Sequence, residues 1–259
     1  MNLFEAFLVG FVGGISDFLP VGGSGHRILM ERVFFGGTYN REFSGICQIF
    51  AALAAVVALR KEITDSLRSI GHPGGEGRRV AALLLAATAT ATFISLPFAN
   101  AYAGLSGDIV VVGVLFLVSG LLIYIAEEIG RRTHPLGSLK LPGAMLVGLL
   151  GALAALPGIS RTGATISGGM LLGLTRESAT RFALFLSVPL LVVSGIWDIS
   201  SGGGEVGPWA SVFGAAASFV GGFLAVGFLR WYAREFSFMV FAYYLWVVGV
   251  FTIVYEYLG

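Results

Sequence analysis

Cysteine occurs once in this sequence of 259 residues, at Cys47, and charged residues make up only 12% of it. A single thiol excludes an internal disulfide and any metal site built from cysteines. A formal net charge of +1 offers no electrostatic footprint for nucleic acid. The N-terminal "MNLFEAFLVG" has no basic n-region and carries Glu5, so no cleaved signal peptide is expected. The "GGSG" of residues 22–25 is followed by no Gly-Lys-Ser/Thr and is not a nucleotide loop. What fills the chain instead is apolar: 56% of residues are hydrophobic and the mean hydropathy is +0.86. A polytopic membrane protein is the class that fits. Its 38 glycines suit helices that approach closely in lipid through small side chains.

Five stretches reach the about 20 apolar residues that a bilayer requires. They are Phe43–Leu59, Val80–Phe98, Ile109–Ala126, Trp209–Leu229 and Phe236–Tyr257, and a sixth, Ala179–Trp197, contains Pro189. Residues 3–33 and 143–176 differ, because each is interrupted midway by a Pro/Gly/Ser cluster. Basic residues set the orientation. Arg60, Lys61, Arg68, Arg78 and Arg79 fall in one connection, Arg131, Arg132 and Lys140 in another, and Arg230 and Arg234 in a third. Connections 99–108 and 199–208 carry none. The positive-inside bias makes the first three cytoplasmic and the last two external. Lys140 and Arg176 then lie on the same side, so 143–176 enters and leaves by one face, and 3–33 does so from the other.

The expected fold is therefore all-α, with two inverted repeats, each a re-entrant helical hairpin plus three transmembrane helices. The first repeat covers 1–127, a cytoplasmic linker 128–142, and the second repeat 143–259. An internal echo agrees: "LVGFVGGISDFLPVGGSG" against "LVGLLGALAALPGISRTG". Inverted repeats with broken helices build polar sites near the midplane, so the two hairpin tips should meet.

The tips carry the chemistry. The first offers Asp17, Ser24, His26 and Arg27, and the second Ser160, Arg161, Thr162 and Thr165. Ionisable groups at bilayer depth cost about 2.5–3.5 kcal/mol each even on a lenient scale, which makes function their default reading. Arg161, between two hydroxyls and just ahead of a helix start, suits a phosphate. Gly22, Gly23, Gly25, Gly158 and Gly163 let the backbone turn and approach a ligand. Blander roles compete. Asp17, Ser160 and Thr162 could each cap a half-helix, and Arg27 is expected to snorkel from the hairpin exit. His72 and His134, in charged loops, are assigned nothing.

"FLPVGGSGH" followed by "LPGISRTGATISGGMLLGL" resembles the undecaprenyl-pyrophosphate phosphatase family of bacterial membranes. The likeness extends to Gln48 in "FSGICQIFAALAAVVAL" and to Phe182 and Pro189 in "TRESATRFALFLSVP". It implies release of phosphate from a C55 lipid pyrophosphate at the outer side of the inner membrane, usually with a divalent cation (Mg²⁺ or Ca²⁺). It also implies family glutamates at the positions of Gly13 and Asp17, serines at those of Gly22 and Gly23, and an arginine at that of Leu245, after Tyr244. Glu5 cannot replace the missing acid, since eight helical residues separate it from Gly13 by about 12 Å.

The site expected on this basis has His26, Asp17, Ser24 and Arg161 as catalytic residues. His26 attacks or relays a proton, and Asp17 orients it or holds the cation. Ser160, Arg161, Thr162, Gly158, Gly163 and Gly25 bind phosphate. The expected partners are a polyprenyl (pyro)phosphate lipid and the membrane, with a homodimer as the open assembly. The rival reading is a carrier that binds and flips a polyprenyl phosphate without cleaving it.

Overall fold

The structure, a computed structural model, describes residues 1–36, 40–70, 76–202 and 206–258. His72 lies outside them. The α-helices run in chain order as α1 (Leu3–Phe18), α2 (Gly23–Leu29), α3 (Arg41–Ala58), α4 (Arg60–Ile70), α5 (Glu76–Ser95) and α6 (Ala99–Gly104). They continue as α7 (Ile109–Ile129), α8 (Leu141–Ala152), α9 (Arg161–Leu171), α10 (Arg176–Ser200), α11 (Pro208–Glu235) and α12 (Met239–Leu258). No strand occurs among the described residues. Side-chain caps fix several of the starts. Asn2 and Glu5 form a reciprocal capping box on α1, and Asn40, Asp108, Ser160 and Thr175 cap α3, α7, α9 and α10.

Six segments are long and apolar enough to cross a membrane: Arg41–Ala58, Gly77–Tyr102, Ile109–Ile129, Arg176–Ser200, Pro208–Glu235 and Met239–Leu258. Each contains most of one span expected from the sequence, and α10 continues through Pro189. The protein is a multi-pass membrane protein. Two of the connections between spans are partly helical, as α4 and α6.

The interrupted stretches fold as helical hairpins. α1 turns at Leu19–Gly22 into α2, which runs on through a π-helical turn, Met30–Phe34. α8 turns through 153–160 into α9. With 16 residues in α1 and 12 in α8, these arms fall short of the roughly 20 that a crossing needs. The tips touch. Thr162 donates its hydroxyl to the Asp17 carbonyl at 2.9 Å, and the Gly158 N–H reaches Ser24 Oγ at 3.4 Å. Gly22 (φ +86°) and Gly158 (φ +111°) meet here in left-handed backbone, and a Cβ on Gly22 would sit 2.6 Å from the Gly158 carbonyl oxygen.

α1 is seated on α11 through small residues. A Cβ on Gly10 would lie 2.2 Å from the Gly214 carbonyl oxygen, and one on Gly14 equally close to that of Ser218. This is backbone-to-backbone packing by small residues four apart, the usual way helices associate tightly in lipid. Gly14→Leu is expected to cost about 1–3 kcal/mol by overpacking and to displace the first hairpin. A lowered unfolding midpoint in detergent checks it.

Candidate active site

A cavity of ≈ 140 Å³ opens where the hairpin tips meet α3, α5 and α10. Asp17, Ser24, Arg27, Arg41, Gln48, Arg161, Ser194 and Asp198 supply its polar lining. Helix geometry sorts the first tip. Ser24, Arg27 and Ile28 are spaced i, i+3, i+4, so they share one face of α2, and all three line the cavity. His26 lies two residues from Ser24, about 200° around the axis. Its ring is wedged against Phe116 and Tyr244, with Nδ1 2.9 Å from the Gly22 carbonyl oxygen and Nε2 2.7 Å from the Tyr244 hydroxyl. The expected meeting of His26 with Arg161 across one cavity does not occur, because the two rows of α2 face opposite ways.

The snorkelling expected of Arg27 is also corrected. Arg27 is 1% exposed and makes a two-pronged ion pair with Asp17, Nη1–Oδ2 2.9 Å and Nη2–Oδ1 3.0 Å. Snorkelling needs an interface within reach, and here a buried carboxylate lies closer.

Of the polar residues expected at the second tip, Ser160, Arg161, Thr162 and Thr165, Arg161 is the one that lines the cavity. Its Nη2 donates to Ser194 Oγ at 3.2 Å, and Ser194 in turn donates to Gln48 Oε1. Gln48 Nε2 donates to Asp198 Oδ2 at 3.0 Å, and Asp198 Oδ1 takes Arg41 Nη2 at 3.2 Å. One polar relay thus links the tip to the ends of α3 and α10, and the charges of Asp17, Arg27 and Asp198 all act on Arg161. Ser160 caps α9 by accepting from the Gly163 N–H at 3.0 Å, and Thr162 ties the hairpins. Both hydroxyls are therefore engaged away from the cavity. Gly163 packs against the Ser160 side chain, and Gly25 against Phe116 and Gly158. Arg41, Ser194 and Asp198 were not expected. A charged residue at each end of a long apolar helix was the available signal.

Residues 6–251 match the family described as "Bacitracin resistance protein BacA". The chain belongs to that family. Curated relatives agree along the whole length. A protein of Chromobacterium violaceum named "Undecaprenyl-diphosphatase 1" is 34% identical over 262 residues, covering 96% of this chain and 94% of its own. Proteins named "Undecaprenyl-diphosphatase" from Carboxydothermus hydrogenoformans and Halothermothrix orenii are 30% and 29% identical. They cover 100% and 98% of this chain, and 99% and 98% of their own.

A resident divalent cation does not fit the donors this BacA-family chain provides. Both Asp17 oxygens accept from Arg27, and Asp198 is taken by Arg41 and Gln48. Among the described residues no three His, Cys, Asp or Glu side chains cluster in a way that could hold a metal. Mg²⁺ asks for near-octahedral oxygen donors, and Ca²⁺ for six to eight.

Proposed function

We propose that the protein is an integral-membrane phosphatase that removes the terminal phosphate of undecaprenyl pyrophosphate, leaving the monophosphate for reuse as a cell-wall lipid carrier. The observation that carries this reading is the cavity, where the guanidiniums of Arg161 and Arg27 and the Ser24 hydroxyl share space with Ala91, Leu96, Ile159 and Leu190. Such a lining suits an anionic head on an apolar chain. The names of the curated relatives favour hydrolysis over carriage.

Phosphoryl transfer depends chiefly on neutralising charge on the phosphoryl oxygens. Arg161 does this from the second hairpin. Ser24 Oγ attacks the terminal phosphorus, the bond from phosphorus to the bridging oxygen breaks, and the lipid monophosphate leaves. Asp17, whose Oδ1 lies against Gly23 beside Ser24, takes the hydroxyl proton. A weak base suffices, because the transition state is loose. Water then cleaves the phosphoserine, which frees phosphate and restores the hydroxyl. His26 acts as a positioning residue that ties the first tip to α12 through Tyr244.

The reading includes a cavity open to the outer side of a bacterial inner membrane. Ala99, Tyr102 and Ser106 of the connection without Lys or Arg contribute to the lining, in keeping with the positive-inside bias. It also includes two inverted repeats, 1–127 and 143–259. The packing of α1 on α11 is matched by α8 on α5, while α3 pairs with α10 and α7 with α12, which supports that relation.

The test measures phosphate released from C55 pyrophosphate by the purified parent, Ser24→Ala and His26→Ala. The parent is expected to turn over, Ser24→Ala to lose on the order of 10³-fold or more, and His26→Ala to lose less. A parent no faster than Ser24→Ala would overturn the reading.

A further inference from the structure

Two glycines and one ion pair on the cavity presuppose one another. Gly13 precedes Asp17 by four residues and so shares its face of α1. A Cβ on Gly13 would lie 2.8 Å from Arg27 Nη1, 2.9 Å from its Cγ and 3.0 Å from its Cδ. The Arg27 side chain crosses the space that any other residue at position 13 would fill. A Cβ on Gly23 would lie 2.2 Å from Asp17 Oδ1. A side chain at either position would push the pair apart. The side chains of both partners are almost fully buried, 2% exposed for Arg27 and 4% for Asp17.

We infer that the Arg27 guanidinium, oriented by Asp17, is the built-in cation for the ligand's pyrophosphate, so that binding requires no divalent metal. This rests on pyrophosphate being the ligand and is independent of turnover. A guanidinium keeps its charge at any pH the protein meets, and its planar fork matches phosphate oxygens. Asp17 balances that charge while no ligand is present, which offsets the cost of burying it. With Arg161 on the facing hairpin, two guanidiniums approach the head group from two sides, and Asp17 keeps their sum near one positive charge. A metal ion at Asp17 would have to share a carboxylate already paired with Arg27 and would bring its own charge up against that guanidinium.

The test titrates inorganic pyrophosphate into the purified full-length protein and reads binding by calorimetry, once with EDTA and once with Mg²⁺. The parent is expected to bind equally well in both. Arg27→Met is expected to weaken binding on the order of 10–100-fold in EDTA, as loss of charge-assisted hydrogen bonds does. That variant strands a buried carboxylate, so Asp17→Leu/Arg27→Met is measured beside it and should show the same loss in a neutral, foldable pair. Gly13→Ala, which alters no charge, is expected to weaken binding about tenfold by crowding Arg27. The inference fails if EDTA abolishes binding to the parent and Mg²⁺ restores it, or if the paired variant binds as the parent does. Arg27-dependent binding without phosphate release from the lipid would sustain the inference and sink only the hydrolase reading.

Discussion

Arg161→Met is expected to lower phosphate release by about 10³-fold or more, the scale on which a guanidinium that meets the transferred phosphoryl group acts. Arg161 opens α9, and its head is aimed by Ser194, which Gln48 holds, which Asp198 and Arg41 hold in turn. Methionine keeps the length of the side chain and removes its charge and its fork. Arg161 donates to a neutral hydroxyl, that of Ser194, and to no carboxylate among the described residues, so the loss of stability should stay at about 1 kcal/mol. Activity and stability therefore separate: turnover collapses while the unfolding midpoint in detergent barely moves. Arg161→Lys refines the test. It restores the charge without the planar pair of donors, and an intermediate rate is expected. An Arg161→Met variant that kept a tenth of the parental rate would mean that the phosphoryl charge is met elsewhere in the cavity.

The large features of this fold were legible because each has a strong local cause. Clusters such as "LPVGG" and "LPGIS" break a helix wherever they fall, and the uneven spread of Lys and Arg fixes which segments can cross. Together they led to two hairpins whose tips touch, and Thr162 bonded to the Asp17 carbonyl is that contact. What the sequence left hidden is angular and long-range. Ser24 and His26 read as one polar cluster along the chain, yet two residues of helix turn them to opposite sides of α2. Arg27 looked like a side chain near an exit because nothing local announces that its partner, ten residues earlier, lies across a tight hairpin. Arg41 and Asp198 are separated by 157 positions, and no spacing rule links them. The helices α4 and α6 arose in connections between spans, where hydropathy alone carries little signal.

The same long-range logic produces the largest expected effect on stability, at the C-terminal end of α7. Glu127, 4% exposed, accepts from Arg176 Nε at 2.8 Å and Nη2 at 2.6 Å, from Arg132 Nη1 at 2.5 Å, and from the Phe238 backbone N–H at 2.8 Å. One carboxylate thus joins α7 to the start of α10 and to the residue just before α12. It also anchors Arg132, whose φ of 53° is a backbone conformation that costs a non-glycine residue about 1–2 kcal/mol. Glu127→Ala removes all four bonds together and leaves the buried Phe238 N–H without its acceptor. Breaking a buried pair by removing one partner typically costs about 3–5 kcal/mol, and the low end applies because both arginines reach solvent. The expected result is a clearly lowered unfolding midpoint in detergent, with Glu127→Gln recovering only part of it, since an amide accepts at a single oxygen and carries no charge. Pyrophosphate binding by the surviving folded fraction should match the parent, because none of the groups around Glu127 lines the cavity. A Glu127→Ala protein as stable as the parent would show that helix packing alone holds α7, α10 and α12 together at this end.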